Sequence, residues 1–186
     1  MVYQLTVDNC TGGCNPGPPG TSMGTVTITD TVANTVTVQI SLVAPLQFVN
    51  TGLQETVDFN LAGNPSITLT PNGSWALASS TAGTNHFDGF GDFEYAITTG
   101  TSQGAGGALA SPVTFTLTGA GLDSSDFEAN ANGFHIGVDV YNPTTGRTGP
   151  IGDGGGTVTP EPISLLSLGI SALGLGLIVR KRSFRA

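Results

Sequence analysis

Positive charge is nearly missing from this chain. Of 186 residues, 10% are charged, against roughly a quarter in an average soluble domain. Five are Lys or Arg, and Arg180, Lys181, Arg182 and Arg185 take four of them, leaving Arg147 as the single basic side chain before position 180. Nucleic-acid affinity depends on several Lys/Arg contacts to phosphate. A nucleic-acid partner is therefore excluded, as is phosphoryl transfer. The glycine-rich segment 100–107 lacks the Lys-Ser/Thr ending of a phosphate loop, and no cation follows it. Soft metal ligands are scarce too, with two Cys and two His. Heptads, long amphipathic helical patterns and charged low-complexity tracts are also missing, which argues against bundles, coiled coils and charged disordered tails.

What is present is alternation. Thr35–Leu42 sets Val36, Val38, Ile40 and Leu42 on one face and Thr, Gln and Ser on the other, the period of a half-buried strand. Segments 25–29, 57–61, 93–97, 113–117 and 134–140 repeat the design, with shorter runs at 3–7, 47–49 and 67–70. Turn residues separate them, as in Gly63-Asn64-Pro65 and Asn142-Pro143. Eight to ten strands with one solvated face each predict an all-β, antiparallel β-sandwich or jelly-roll-like domain over residues 1–150. Leu122–Ala129 alone hints at a helical turn, with Asp123 or Ser124 as its N-cap.

A glycine-rich linker is expected at 151–159, followed by Pro160-Glu161-Pro162. Ile163–Val179 then runs for seventeen residues without charge. As a helix it spans about 25 Å, at the short end of what crosses a hydrocarbon core. Arg180-Lys181-Arg182 follow at once and mark the cytoplasmic, stop-transfer side. The competing reading, a buried core helix, fares badly because the stretch has no polar face.

The triplet, the short apolar helix and the basic end, in that order over residues 160–186, closely resemble the PEP-CTERM sorting signal of exported bacterial proteins. The resemblance implies a membrane-anchored precursor whose tail is recognised at Pro160, Glu161 and Pro162 by an exosortase-type membrane enzyme and processed. It also implies a cell-surface or extracellular setting among exopolysaccharide-producing bacteria. The body likewise resembles the small β-sandwich ectodomains found on such proteins. No basic and apolar leader precedes the alternation that begins at Tyr3, so an export signal upstream of the given start is expected. The alternative is a tail that inserts after synthesis, with the domain left in the cytosol.

Cys10-Thr-Gly-Gly-Cys14 can close a tight loop, and a disulfide suits an exported protein. Free thiols and zinc compete, although structural zinc asks for four ligands and His86 and His135 are the remaining soft candidates. Calcium is the plausible metal elsewhere. Asp88, Asp92 and Glu94, with His86, crowd nine residues around Gly89 and Gly91, but without EF-hand spacing. The plain alternative is a solvated loop leading into a strand. No Gly-x-Ser-x-Gly elbow exists, and a carboxylate pair such as Asp88/Asp92 or Asp123/Asp126 is a weak case for a glycosidase. The expectation is a non-enzymatic structural or adhesive protein of envelope or biofilm, without a cofactor. Its runner-up is a carbohydrate-binding module for exopolysaccharide, with or without calcium, using Trp75, Phe90, Tyr95 or Tyr141 as platforms. His135 is expected to face outward and Arg147 to be a loop cation.

Overall fold

With β-branched residues at nearly every other position, segments such as Thr35–Leu42 favour extended backbone over helix. The computed structural model describes residues 1–51, 55–70, 73–78 and 81–154. In chain order the strands are β1 (Val2–Asp8), β2 (Gly24–Val32), β3 (Thr35–Leu42), β4 (Gln47–Phe48), β5 (Val57–Leu61), β6 (Ile67–Thr70) and β7 (Ala76–Leu77). They continue with β8 (Asn85–Phe87), β9 (Gly91–Phe93), β10 (Tyr95–Thr98), β11 (Val113–Gly119), β12 (Phe127–Glu128), β13 (Ile136–Asn142) and β14 (Arg147–Asp153). Two single 3₁₀ turns, Ala105–Gly107 and Ser124–Asp126, are the helical elements among the described residues. Asp123 caps the second in a capping box with Asp126. No helix among the described residues is long and apolar enough to cross a membrane. The expected triplet Pro160-Glu161-Pro162, the span Ile163–Val179 and the basic end Arg180-Lys181-Arg182 lie outside the described residues.

The architecture is all-β and antiparallel, as expected. One ladder runs β6-β11-β3-β2-β1-β14-β13-β5-β10-β7, with β12 added to β5 and β4 to β13. Its two end strands lie against each other, so the sheet nearly closes on itself. Register explains the core. Val38 stands opposite both Ile28 and Phe115, and Ile40 opposite Val26 and Val113, so apolar side chains line one face. Thr27, Gln39 and Thr114 meet on the other. Threonine there gives strand propensity and solvation without charge.

Two expectations need correction. The body does not stop at residue 150. β14 runs to Asp153 and sits between β1 and β13, with Ile151 in the core, so residues 151–153 are central strand and not linker. Nor does every strand keep a solvated face: β5 is buried throughout, and β13 nearly so. The cause is a separate hairpin, β8–β9, laid over the outside of the sheet. Phe93–Ile97, read as one strand, breaks at Glu94, whose N–H goes to Asn60 Oδ1 at 2.8 Å. Phe93 consequently packs under the hairpin, whereas Tyr95, two residues on, packs in the main core.

Candidate functional site

Beneath the hairpin lies a second apolar cluster of Phe87, Phe90 and Phe93, flanked by Val7 and Phe134. Its seating requires glycine on the sheet below. A Cβ on Gly137 would stand 2.5 Å from the Phe87 ring, and one on Gly152 would stand 2.4 Å from that of Phe90. Polar contacts clamp its rim. Asn130 and Asn132 both donate to the Phe90 carbonyl, at 2.9 and 3.1 Å, and Asn9 donates to that of Asp88 at 3.1 Å.

Strand alternation then dictates which polar residues are trapped. Val57, Phe59 and Leu61 of β5 face the core, so Asp58 and Asn60 project to the outer face beneath the cover. Val138 and Val140 of β13 do the same, sending Asp139 outward. Asp58 is 0% exposed and Asp139 4%. Beside them Glu55, just before β5, reaches the same place. A cavity of about 50 Å³ is lined by Thr51, Glu55, His86, Phe87, Asp88 and Asp139. That is room for water or an ion and far below the size of a small-molecule substrate.

The electrostatics are unusual for a chain so poor in charge. Asp139 Oδ2 accepts a short hydrogen bond from the Thr51 hydroxyl. Neither oxygen of Asp58 meets a hydrogen-bond donor, nor does Oε2 of Glu55. Burial first, then the charge and hydrogen bond of Glu55 and the charge of Asp139, push the Asp58 carboxyl up to about 9. Burial also raises Glu55, offset by its contact with Asp58 and by His86. Asp139 is pushed up to about 7 by burial, against the Thr51 hydrogen bonds and with the charges of Asp88 and Glu55 adding to the rise. A carboxyl raised that far favours its protonated form at neutral pH, with Glu55 as the acceptor beside it. Such an arrangement can hold a proton or a hard cation, since its donors are oxygens apart from the His86 imidazole.

The residues expected to bind calcium are only partly gathered here. Asp88 lines the cavity, while Asp92 turns to the exposed His86, 2.8 Å from its Nδ1, and raises that imidazole's pKa. Glu94 lies at the break between β9 and β10, with Oε2 buried and without a hydrogen-bond partner. Glu55, Asp58 and Asp139 were missed because alternation alone reads them as solvent-facing. The one hint was that β5 and β13 carry acids between strongly apolar neighbours in a chain that uses few acids.

Cys10 and Cys14 form the expected disulfide, their Cα atoms 5.6 Å apart. Together with Asp8 they make the one group of three or more His, Cys, Asp or Glu ligand atoms within 4.8 Å among the described residues. It suits no metal. The sulfurs are bonded to each other, and Asp8 accepts from the backbone N–H groups of Cys10, Cys14 and Asn15 at 2.8–3.0 Å. The aromatic platforms fail on burial: Trp75 packs edge-on against Phe48, and Phe90 and Tyr95 are buried, which leaves Tyr141 half-buried. His135 is held inward. Its Nδ1 lies 2.8 Å from Asp153 Oδ2 and its ring lies over Tyr3. Arg147 opens β14 and reaches the disulfide loop, donating to the Gly13 carbonyl at 3.4 Å. No family model, curated protein or solved structure matches this chain.

Proposed function

We propose that this chain is an exported protein delivered to the cell surface or extracellular matrix by its C-terminal tail, with a structural or adhesive role there. The observation that carries the reading is the ordered tail itself: Pro160-Glu161-Pro162, an uncharged apolar run, then Arg180-Lys181-Arg182. Two features of the body support it. The Cys10–Cys14 disulfide suits an oxidising compartment. The outward threonine face of β2, β3 and β11 is solvated without charge, as a domain packed among neighbours in a matrix requires. We read the single ladder as folding over into the two packed layers of a sandwich.

Glycan binding is the second reading, favoured by one surface depression of about 440 Å³ beside the disulfide loop. Thr6, Asn15, Thr145 and Arg147 line it with both hydrogen-bond donors and acceptors. Its volume is that of a small-ligand site. The test of delivery is the intact mass of the protein from outer fractions of its native host, expressed with its own upstream DNA. A product lacking the region beyond about Pro162, with Cys10 and Cys14 oxidised, is expected. A full-length, reduced, cytosolic product overturns the reading.

A further inference from the structure

We propose that Glu55, Asp58 and Asp139 form a binding site for a hard divalent cation, calcium by its coordination chemistry, closed over by the β8–β9 hairpin. The strongest argument is an unmet demand. Buried carboxylates in folded proteins are paired, hydrogen-bonded or metal-bound. Asp58 has no exposed surface, and the group its carboxyl meets is the like-charged carboxyl of Glu55, whose Oε2 is buried without a donor, so a single shared proton is all that serves the two acids. Asp139 faces the same pair from β13. Among the described residues no Lys or Arg answers them, and His86 acts on Glu55 only through its charge. Arg147 is engaged at the disulfide loop, and the His86 ring that borders the cavity is held by Asp92.

The donor set then selects the ion. Carboxylates plus the Thr51 hydroxyl are hard oxygen ligands, and the one nitrogen ligand in the lining, His86, is turned to Asp92 through Nδ1, so the oxygen majority favours calcium or magnesium over zinc or copper. The cavity of about 50 Å³, lined by Thr51, Glu55 and Asp139 with Asp58 buried against Glu55 outside its lining, has room for an ion with one or two waters. The three carboxylates are not drawn together within 4.8 Å, and since Glu55 already meets Asp58, binding must bring that pair and Asp139 towards each other. A site of that kind tolerates irregular geometry and longer bonds, which suits calcium at 2.3–2.6 Å and penalises magnesium, which demands a tight octahedron. Asp88 at the cavity edge adds negative potential that draws the ion in. The bound cation would tie β5 and β13 to the segment bearing Glu55 beneath the β8–β9 hairpin.

The test uses the full chain in detergent, freed of metal with a chelator and titrated with calcium chloride alone. One saturable site is expected, of the affinity typical of extracellular modules, about 10⁻⁴–10⁻³ M, with weaker magnesium binding. At ten times the dissociation constant the melting temperature should rise by about 3–6 °C. Asp58→Asn keeps the shape and removes the charge, so it is expected to fold and to lose the calcium response at least tenfold. Asp92→Asn, on the hairpin but turned to His86, should keep it. A wild-type protein whose melting temperature and calorimetric trace ignore about 10 mM calcium overturns the proposal, leaving a shared proton as the sole occupant. So does a folded Asp58→Asn variant that binds as well as wild type, which would place any calcium on the exposed acids instead.

Discussion

Asp58 illustrates how one residue can set the pH response of a whole domain. Its carboxyl titrates near the ordinary value of about 4 in the unfolded chain and is pushed up to about 9 when folded, chiefly by burial. Between those limits the folded state binds the extra proton, so stability is fullest below pH 4 and declines as pH rises towards 9. Asp139, raised to about 7, adds to the decline over its lower part. In chelator, denaturant unfolding should show stability falling as pH rises, most steeply from pH 4 to 7 where both groups contribute. Asp58→Asn should flatten that slope and be at least as stable as wild type at pH 7.5. A slope unchanged by the substitution would contradict this account. Asn130 is a quieter case. It donates to the Phe90 carbonyl and accepts from the N–H groups of Asn132 and Phe134, and Asn130→Ala leaves all three without that partner. A loss of about 1–3 kcal/mol by chemical denaturation is expected.

At the scale of elements, the β8–β9 hairpin is the part that sequence reading could not place. Strand existence was legible wherever alternation was long: Thr35–Leu42, Val113–Leu117 and Tyr3–Val7 all lie in strands, and the Asp123 cap stands where its residue type suggested. Alternation reports which residues share a face, but not what covers that face. A hairpin that crosses the outside of a sheet turns a solvated row into a buried one without altering the pattern beneath it. That is why Asp58 and Asp139 looked like ordinary surface acids. The trace it leaves is glycine at the points of closest approach, Gly137 under Phe87 and Gly152 under Phe90. Gly152→Ala should lift the hairpin and cost about 1–3 kcal/mol, and Phe90→Ala about 3–5 kcal/mol. Hydrogen exchange should speed up first at the Phe93 amide, and the raised carboxyl of Asp58 should fall towards its ordinary range. A Gly152→Ala variant with unchanged exchange in the hairpin would show that the cover does not depend on that contact.

For the whole molecule, charge scarcity and the paired cysteines were legible at once, because each is a matter of counting and spacing. The extent of the body was not. Glycine at 152 and 154–156 reads as a linker, yet the strand includes Gly152 because the sheet there needs a residue without a side chain. The disulfide closes a loop of only a few residues, which limits its contribution to about 2 kcal/mol. The loop also packs on the sheet, with Gly149 against Cys10 and the Asn142 side chain donating to the Cys14 carbonyl at 2.9 Å. Replacing both cysteines by serine should therefore lower the melting temperature by several degrees without abolishing folding. Reduction of the wild-type protein should reproduce that shift.

The placement of β14 has a mechanical corollary. It is the last strand among the described residues, yet it lies in the interior of the ladder, hydrogen-bonded to β1 on one side and β13 on the other. Tension entering at Gly154 is taken up by a strand that cannot be peeled from an edge one bond at a time. Drawn along its length, it must shear two rows of hydrogen bonds together, with Asp153 anchored by His135 at the point where the load arrives. A domain tugged from its C-terminal side would thus hold its shape under forces that unzip an edge strand.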